Sequence, residues 1–90
     1  MVIHTIGYEY DTQLEGFDEI RAKHREYLAS LHADGELLAS GPWGSTGGLL
    51  VVAAEEDRAE EIRAADPIFA AGATIKSAIR PWKVTLGPWS

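Results

Sequence analysis

The chain contains no cysteine. This excludes a disulfide framework, thiolate catalysis and a zinc–thiolate site, and it fits a reducing compartment such as the cytoplasm. Long apolar runs are missing too. The longest, Leu49 to Ala54, falls far short of the roughly 20 residues a membrane span needs, so no membrane association is expected. The amino-terminal stretch MVIHTIGYEYD has neither a basic region nor a long apolar segment, and no secretory leader is expected from it. Positive charge is scarce: eight Lys and Arg stand against fourteen Asp and Glu, for a formal net charge of −6. Such a field repels phosphate backbones, which makes nucleic acid a poor partner. There is no internal repeat, linker or low-complexity segment.

What is present is an ordinary globular composition, 46% hydrophobic over 90 residues. That length corresponds to a single domain spanning residues 1–90. A chain this small buries only about 60–68% of its surface on folding, so self-association is the expected extra source of stability.

The apolar pattern alternates between two periods. Val2 to Tyr8 is rich in β-branched and aromatic residues and predicts a first strand. From Phe17 the period changes: Phe17, Ile20, His24, Tyr27, Leu28 and Leu31 recur at steps of three and four, which is one face of a helix. Its start is expected at a Thr12–Glu15 capping box or at Asp18. Its end is expected at Asp34-Gly35, with the glycine in the left-handed position beyond the cap. Glu36 to Ser40 predicts a second strand, Gly41 to Gly48 a loop, and Gly48 to Ala54 a third strand whose Leu-Leu-Val-Val core implies burial on both faces. Glu55 to Ala65 predicts a second helix, opened by acidic residues that suit the positive end of its dipole. Asp66-Pro67 breaks it, Ile68 to Gly72 adds a turn, and Ala73 to Arg80 is a fourth strand stopped at Pro81. The tail Trp82 to Ser90 has no clear period.

The order is therefore β-α-β-β-α-β, an α+β ferredoxin-like arrangement with a four-stranded antiparallel sheet. Both helices would cover one sheet face. A second copy of the chain is the simplest cover for the other, giving a homodimeric α/β barrel.

His24 lies within about 60° of Phe17, Ile20, Tyr27, Leu28 and Leu31 on a helical wheel. A titratable ring on an apolar stripe needs a hydrogen-bond partner. It is either a satisfied core histidine or a pocket base tuned by burial and a carboxylate. Asp66 is the natural candidate for that carboxylate, although an Asp-Pro step also serves as a plain helix cap. Spacing alone does not bring it to His24. The glycine-rich GPWGSTGG lacks a Gly-Lys-Ser/Thr ending and is not a phosphate loop. Ser40 and Ser45 lack the Gly-x-Ser-x-Gly frame of a nucleophile. His4, His24 and His32 have no metal spacing, so neither metal nor cofactor is expected. Arg80 is placed to reach a pocket anion from the last strand or to pair at the surface. Trp43, Trp82 and Trp89 read as packing, interface or pocket-wall residues.

Three strings carry a family resemblance: RAKHREYL (Arg21 to Leu28), HADGELLASGP (His32 to Pro42) and ADPIFAAGATIKSAIRPW (Ala65 to Trp82). In this order they resemble the YCII-related family. The resemblance implies a ferredoxin-like domain that dimerises as an α/β barrel, with a histidine–aspartate pair in a pocket; by position these are His24 and Asp66. It also implies an arginine three positions before the histidine, here Arg21, and a dehydrochlorinase activity on chlorinated hydroxyhydroquinones in part of the family. Arg21, Ser40 and Arg80 are the expected substrate-binding residues.

The expected function is a small-molecule enzyme of proton-transfer type, catalysing elimination, isomerisation or hydrolysis. Two other readings stand beside it. One is a non-catalytic dimeric ligand-binding or accessory module with a structural His24–Asp66 bond; the other is a cofactor-free oxygenase of the related dimeric barrels. Whether the His24 ring opens to a solvent-connected pocket or is sealed by Tyr27 and Phe69 separates the first two.

Overall fold

Seven elements follow one another in the computed structural model, which describes residues 1–90. They are β1 (His4–Tyr10), α1 (Phe17–Ala33), β2 (Leu37–Trp43), β3 (Gly47–Val52), α2 (Glu56–Ala65), α3 (Pro67–Ala70) and β4 (Thr74–Pro81). The strands form one sheet in the order β2-β3-β1-β4, every neighbouring pair antiparallel. This is the ferredoxin-like α+β fold that the pattern predicts. No helix is long and apolar enough to cross a membrane.

Strand alternation divides the sheet into two faces. Ile6 and Tyr8 of β1 and Leu50 and Val52 of β3 join Phe17, Leu31, Ala59, Ile62 and Ile68 from the helices in the core. On the other side of β3, Val51 is buried as well and Leu49 is half-buried, as its unbroken apolar run implies. Helix α1 ends in a Schellman motif. Gly35, at φ 84°, donates its N–H to the His32 carbonyl (3.1 Å), and Glu36 donates to Leu31 (3.0 Å).

Several boundaries move, each for an identifiable reason. β1 runs two residues further than expected at its C-terminal end, because Tyr10 keeps pairing with Thr74 past an irregularity after Glu9 and donates its N–H to Thr46 (2.8 Å). Neither Thr12 nor Asp18 caps α1. Its N-cap is Gly16 at φ 78°, with no side-chain cap, while the Asp11 carboxylate is taken up by the Gln13 N–H (3.2 Å). The largest correction is the predicted Gly41–Gly48 loop, most of which is strand. β2 continues through Pro42 to Trp43, paired against Gly48 and Gly47, so only Gly44, Ser45 and Thr46 form the turn. Pro42 is tolerated there because β2 is an edge strand, where a missing N–H removes no ladder bond. Gly48 has a separate role. A Cβ at that position would run into the Tyr10 hydroxyl, so the glycine makes room for the Tyr10 ring.

Candidate functional site

The seven-residue step of α1 buries Phe17, His24 and Leu31 along one stripe, leaving the His24 residue 5% exposed. The facing carboxylate comes from a helix break. Pro67 disfavours helical backbone at the residue before it, and Asp66 accordingly takes an extended conformation, φ −68° and ψ 122°, between α2 and α3. Its side chain caps α3, Oδ1 accepting the Ile68 N–H at 3.1 Å. The same Oδ1 accepts from Nδ1 of His24 at 2.7 Å. Oδ2 accepts from the Tyr8 hydroxyl at 2.9 Å. Asp66 is fully buried, so its charge is held by three donors rather than by water, which is the condition for burying a carboxylate. The helix-cap reading of Asp66 and the His24-partner reading are both correct.

This arrangement orients the imidazole. Since Oδ1 accepts, Nδ1 carries a proton, and in the neutral ring the free lone pair lies on Nε2. Every fully buried side-chain nitrogen and oxygen in the protein has a hydrogen-bond partner. Nε2 has none among the protein's groups, so it is the atom that reaches open space. Beside it lies a cleft of about 310 Å³, bordered by His24, Tyr10, Arg21, Arg25, Ser40 and the β2–β3 turn. The rings of Tyr8 and Tyr10 meet His24 edge-on, at 6.0 and 6.1 Å between centroids.

Of the residues singled out from the sequence, His24 and Asp66 are brought into direct contact, and Arg21 and Ser40 line the same cleft. Arg80 does not. It pairs opposite Thr5 in β4, and alternation puts it on the helix-free face of the sheet, in a depression shared with Thr5, Ala78 and Trp82. Tyr27 and Phe69 do not seal the His24 ring. The Tyr27 hydroxyl donates to the Ile62 carbonyl (2.9 Å), and Phe69 carries the Arg63 guanidinium over its ring at 4.9 Å. No tryptophan lines the cleft: Trp82 and Trp89 stack edge-on at 6.4 Å, and Trp43 is 67% exposed.

Sequence reasoning missed Tyr8, Tyr10 and Arg25. Each had a readable signal. Tyr8 and Tyr10 share the two-residue period of Ile6, and Arg25 stands four residues after Arg21, on the same side of α1. The environment acts on the tyrosines. Burial, and then the Asp66 charge, push the Tyr8 hydroxyl far above its ordinary value. Tyr10 is raised by the same two causes and Tyr27 by burial first.

Comparison with known proteins bears on the family and the fold. The family model of the YCII-related domain matches residues 1–83. No curated protein matches the chain. Several solved structures share its fold, among them the following three. A 5-chloro-2-hydroxyhydroquinone dehydrochlorinase from Burkholderia phenoliruptrix AC1100, in complex with 2,5-dihydroxybenzoquinone, is 23% identical with a TM-score of 0.72, over 92% of this chain and 94% of its own. An antibiotic biosynthesis monooxygenase is 10% identical (TM-score 0.60, 96% and 100% covered). Protein Atu4242 from Agrobacterium tumefaciens is 16% identical (TM-score 0.56, 98% of each chain).

The substitution Tyr8→Phe strands Asp66 Oδ2 in the core, and a loss of about 1–3 kcal/mol in urea unfolding is expected. Alkali gives a second test. A tyrosine whose folded pKa is raised keeps its proton in the fold while the unfolded chain releases it. Its contribution is therefore complete below about pH 10 and declines as the pH rises beyond that value. In a spectrophotometric titration, at least one tyrosine should ionise only together with the loss of circular dichroism. That late component should shrink by one tyrosine in Tyr8→Phe.

Proposed function

The chain belongs to the YCII-related family, and from that premise we propose that it is a small-molecule enzyme using His24 as its acid–base group. The observation that carries this reading is the divided imidazole: Nδ1 is held by a buried carboxylate while Nε2 faces a cleft. A bound substrate with an acidic C–H or O–H would give its proton to Nε2. Asp66 would stabilise the resulting imidazolium through Nδ1 and would not itself take the proton. The same nitrogen, now protonated, can return the proton to another atom or allow a leaving group to depart, which covers isomerisation and elimination. Asp66 and Tyr8 are positioning residues in this scheme, and Arg21 and Ser40 are substrate-binding residues. The dehydrochlorinase of like fold supplies a concrete first reaction, loss of HCl from a chlorinated hydroxyhydroquinone. A purely structural role for the His24–Asp66 bond is disfavoured by the same observation, because such a histidine has no need of an accessible second nitrogen, and turnover separates catalysis from ligand binding. The oxygenase reading has fold likeness alone behind it.

We further propose a cytoplasmic homodimer joined through the helix-free sheet face. That face carries Thr5, Gly7, Leu49 and Ala78 around a depression of about 530 Å³, with Trp43 and Trp82 at its rim. Apolar side chains in such an arrangement are the usual material of a face-to-face sheet packing.

Chloride release from 5-chloro-2-hydroxyhydroquinone, followed in the wild type and in variants, tests the catalytic reading. His24→Ala should lower turnover by about 10²–10⁴-fold. His24→Asn, whose amide nitrogen can keep the bond to Asp66, should do the same while preserving stability. Asp66→Asn retains an acceptor for Nδ1 and Ile68 but loses the charge, so the rate should fall with binding intact. Equal turnover in wild type and His24→Asn would sink the proposal. For the assembly, sedimentation equilibrium should give twice the 9.8 kDa chain mass, and Trp43→Glu should shift it toward the single chain.

A further inference from the structure

The cleft beside His24 has a sign. The protein carries fourteen Asp and Glu and a net charge of −6, yet none of those carboxylates lines the cleft, while Arg21, Arg25 and His24 all do. The arginines elsewhere in the chain are engaged or remote. Arg58 is held by Glu36 through two bonds of 2.8 and 2.7 Å and also meets Glu61. Arg63 bonds Ser77 and covers Phe69, and Arg80 lies on the other sheet face. At the cleft, Arg21 has only a long contact of 3.4 Å to the exposed Asp18. Arg25 makes no ion pair and no side-chain hydrogen bond. Two guanidinium groups set four residues apart on one helix repel each other. The Asp66 carboxylate lies buried behind His24, and Asp18 reaches Arg21 only from the exposed side, so at the opening itself an incoming anion is favoured.

The rest of the lining gives the shape of that anion. Phe17, Leu28 and Leu50 supply apolar wall. The Tyr10 hydroxyl has no hydrogen-bond partner in the protein and is not sealed from solvent. It stands close enough to Arg25 and Arg21 for their charges to act on it. Ser45 and Thr46 add hydroxyl groups from the turn opposite. A guanidinium recognises a carboxylate or phenolate through paired N–H donors, and a phenol adds a third donor.

We propose that the cleft binds a small organic anion, a planar apolar body bearing an ionised carboxylate or phenolate oxygen. Arg25 and Arg21 neutralise the charge, the Tyr10 hydroxyl donates to the same oxygen, and the apolar body lies toward Phe17 and Leu28, within reach of His24. The assignment rests on reading the cleft as the substrate site, and it extends that reading by naming the substrate class.

Benzoate, its neutral counterpart benzamide, and inorganic phosphate serve as probes, with binding followed by amide chemical shifts of Tyr10 and of residues 44–47. Benzoate should bind and benzamide should not, and binding should weaken as salt is raised. Arg25→Ala, at an exposed position with no protein partner to lose, should reduce benzoate affinity about 10- to 100-fold, with partial recovery in Arg25→Lys. Phosphate should bind less well than benzoate because it lacks the apolar body. Equal binding of benzoate and benzamide, no binding of benzoate, phosphate binding as tightly as benzoate, or an unchanged affinity in Arg25→Ala would each overturn the assignment. Benzoate is not consumed and does not need Nε2, so His24→Asn should still bind it. A failed anion test leaves His24 free to act on a neutral substrate. A positive anion test beside unchanged turnover in His24→Asn sinks the catalytic reading alone.

Discussion

A carboxylate with no water around it governs this structure. Asp66 is fully buried, and a charge so placed is tolerated only if donors surround it. Its three donors come from three parts of the chain: Nδ1 of His24 on α1, the hydroxyl of Tyr8 on β1, and the Ile68 N–H at the start of α3. The bonds therefore tie the long helix, the central strand and the helix break at one point. Removing any donor costs more than one contact, because the remaining charge stays in the core. The interaction that fixes the packing of α1 on the sheet also sets the orientation of the imidazole.

The two ends of that imidazole live in different surroundings. One nitrogen is inside the protein, bonded to a charge; the other opens toward a cleft whose walls come from α1, β1 and the β2–β3 hairpin. A proton can therefore be exchanged at the open end while the ring is held at the closed end. Desolvation keeps the nearby phenols neutral, so Tyr8 can act only as a donor to Asp66. Tyr10 presents a hydroxyl with no protein partner to whatever occupies the cleft. Gly48 belongs to the same design, since a side chain there would displace Tyr10.

Much of this is legible in the amino-acid sequence. The change of period at Phe17, the Gly35 terminator and the Asp-Pro break gave the element order, and position on the helical wheel marked His24. The contact between His24 and Asp66 was not legible from spacing. It joins residues 42 positions apart, and only the family resemblance pointed to it. The hairpin was misread because a run of glycine, proline and serine has loop composition, while an edge strand tolerates that composition as long as one side of its ladder needs no donor. Arg80 is expected either at the pocket or in a surface pair, and alternation decides against the pocket: Ile79 packs on the core, so Arg80 beside it faces the other side of the sheet. Tyr8 was passed over as an ordinary strand aromatic, since nothing local signals that its hydroxyl ends on a carboxylate from beyond α2.

The turn formed by Gly44, Ser45 and Thr46 closes one wall of the cleft yet sits at the tip of a hairpin whose outer strand is the sheet's free edge. The three turn residues are not among the core residues or the Asp66 cluster, and Thr46 meets the rest of the sheet by accepting the Tyr10 N–H at 2.8 Å. Changes at Gly44 and Ser45, beyond the Thr46 carbonyl that holds Tyr10, leave the proton-handling centre and the hydrophobic core in place, since insertions at exposed loop tips are readily accommodated. The molecule thus separates the part that does chemistry from the part that selects its guest, and evolution or an engineer can change the second without rebuilding the first.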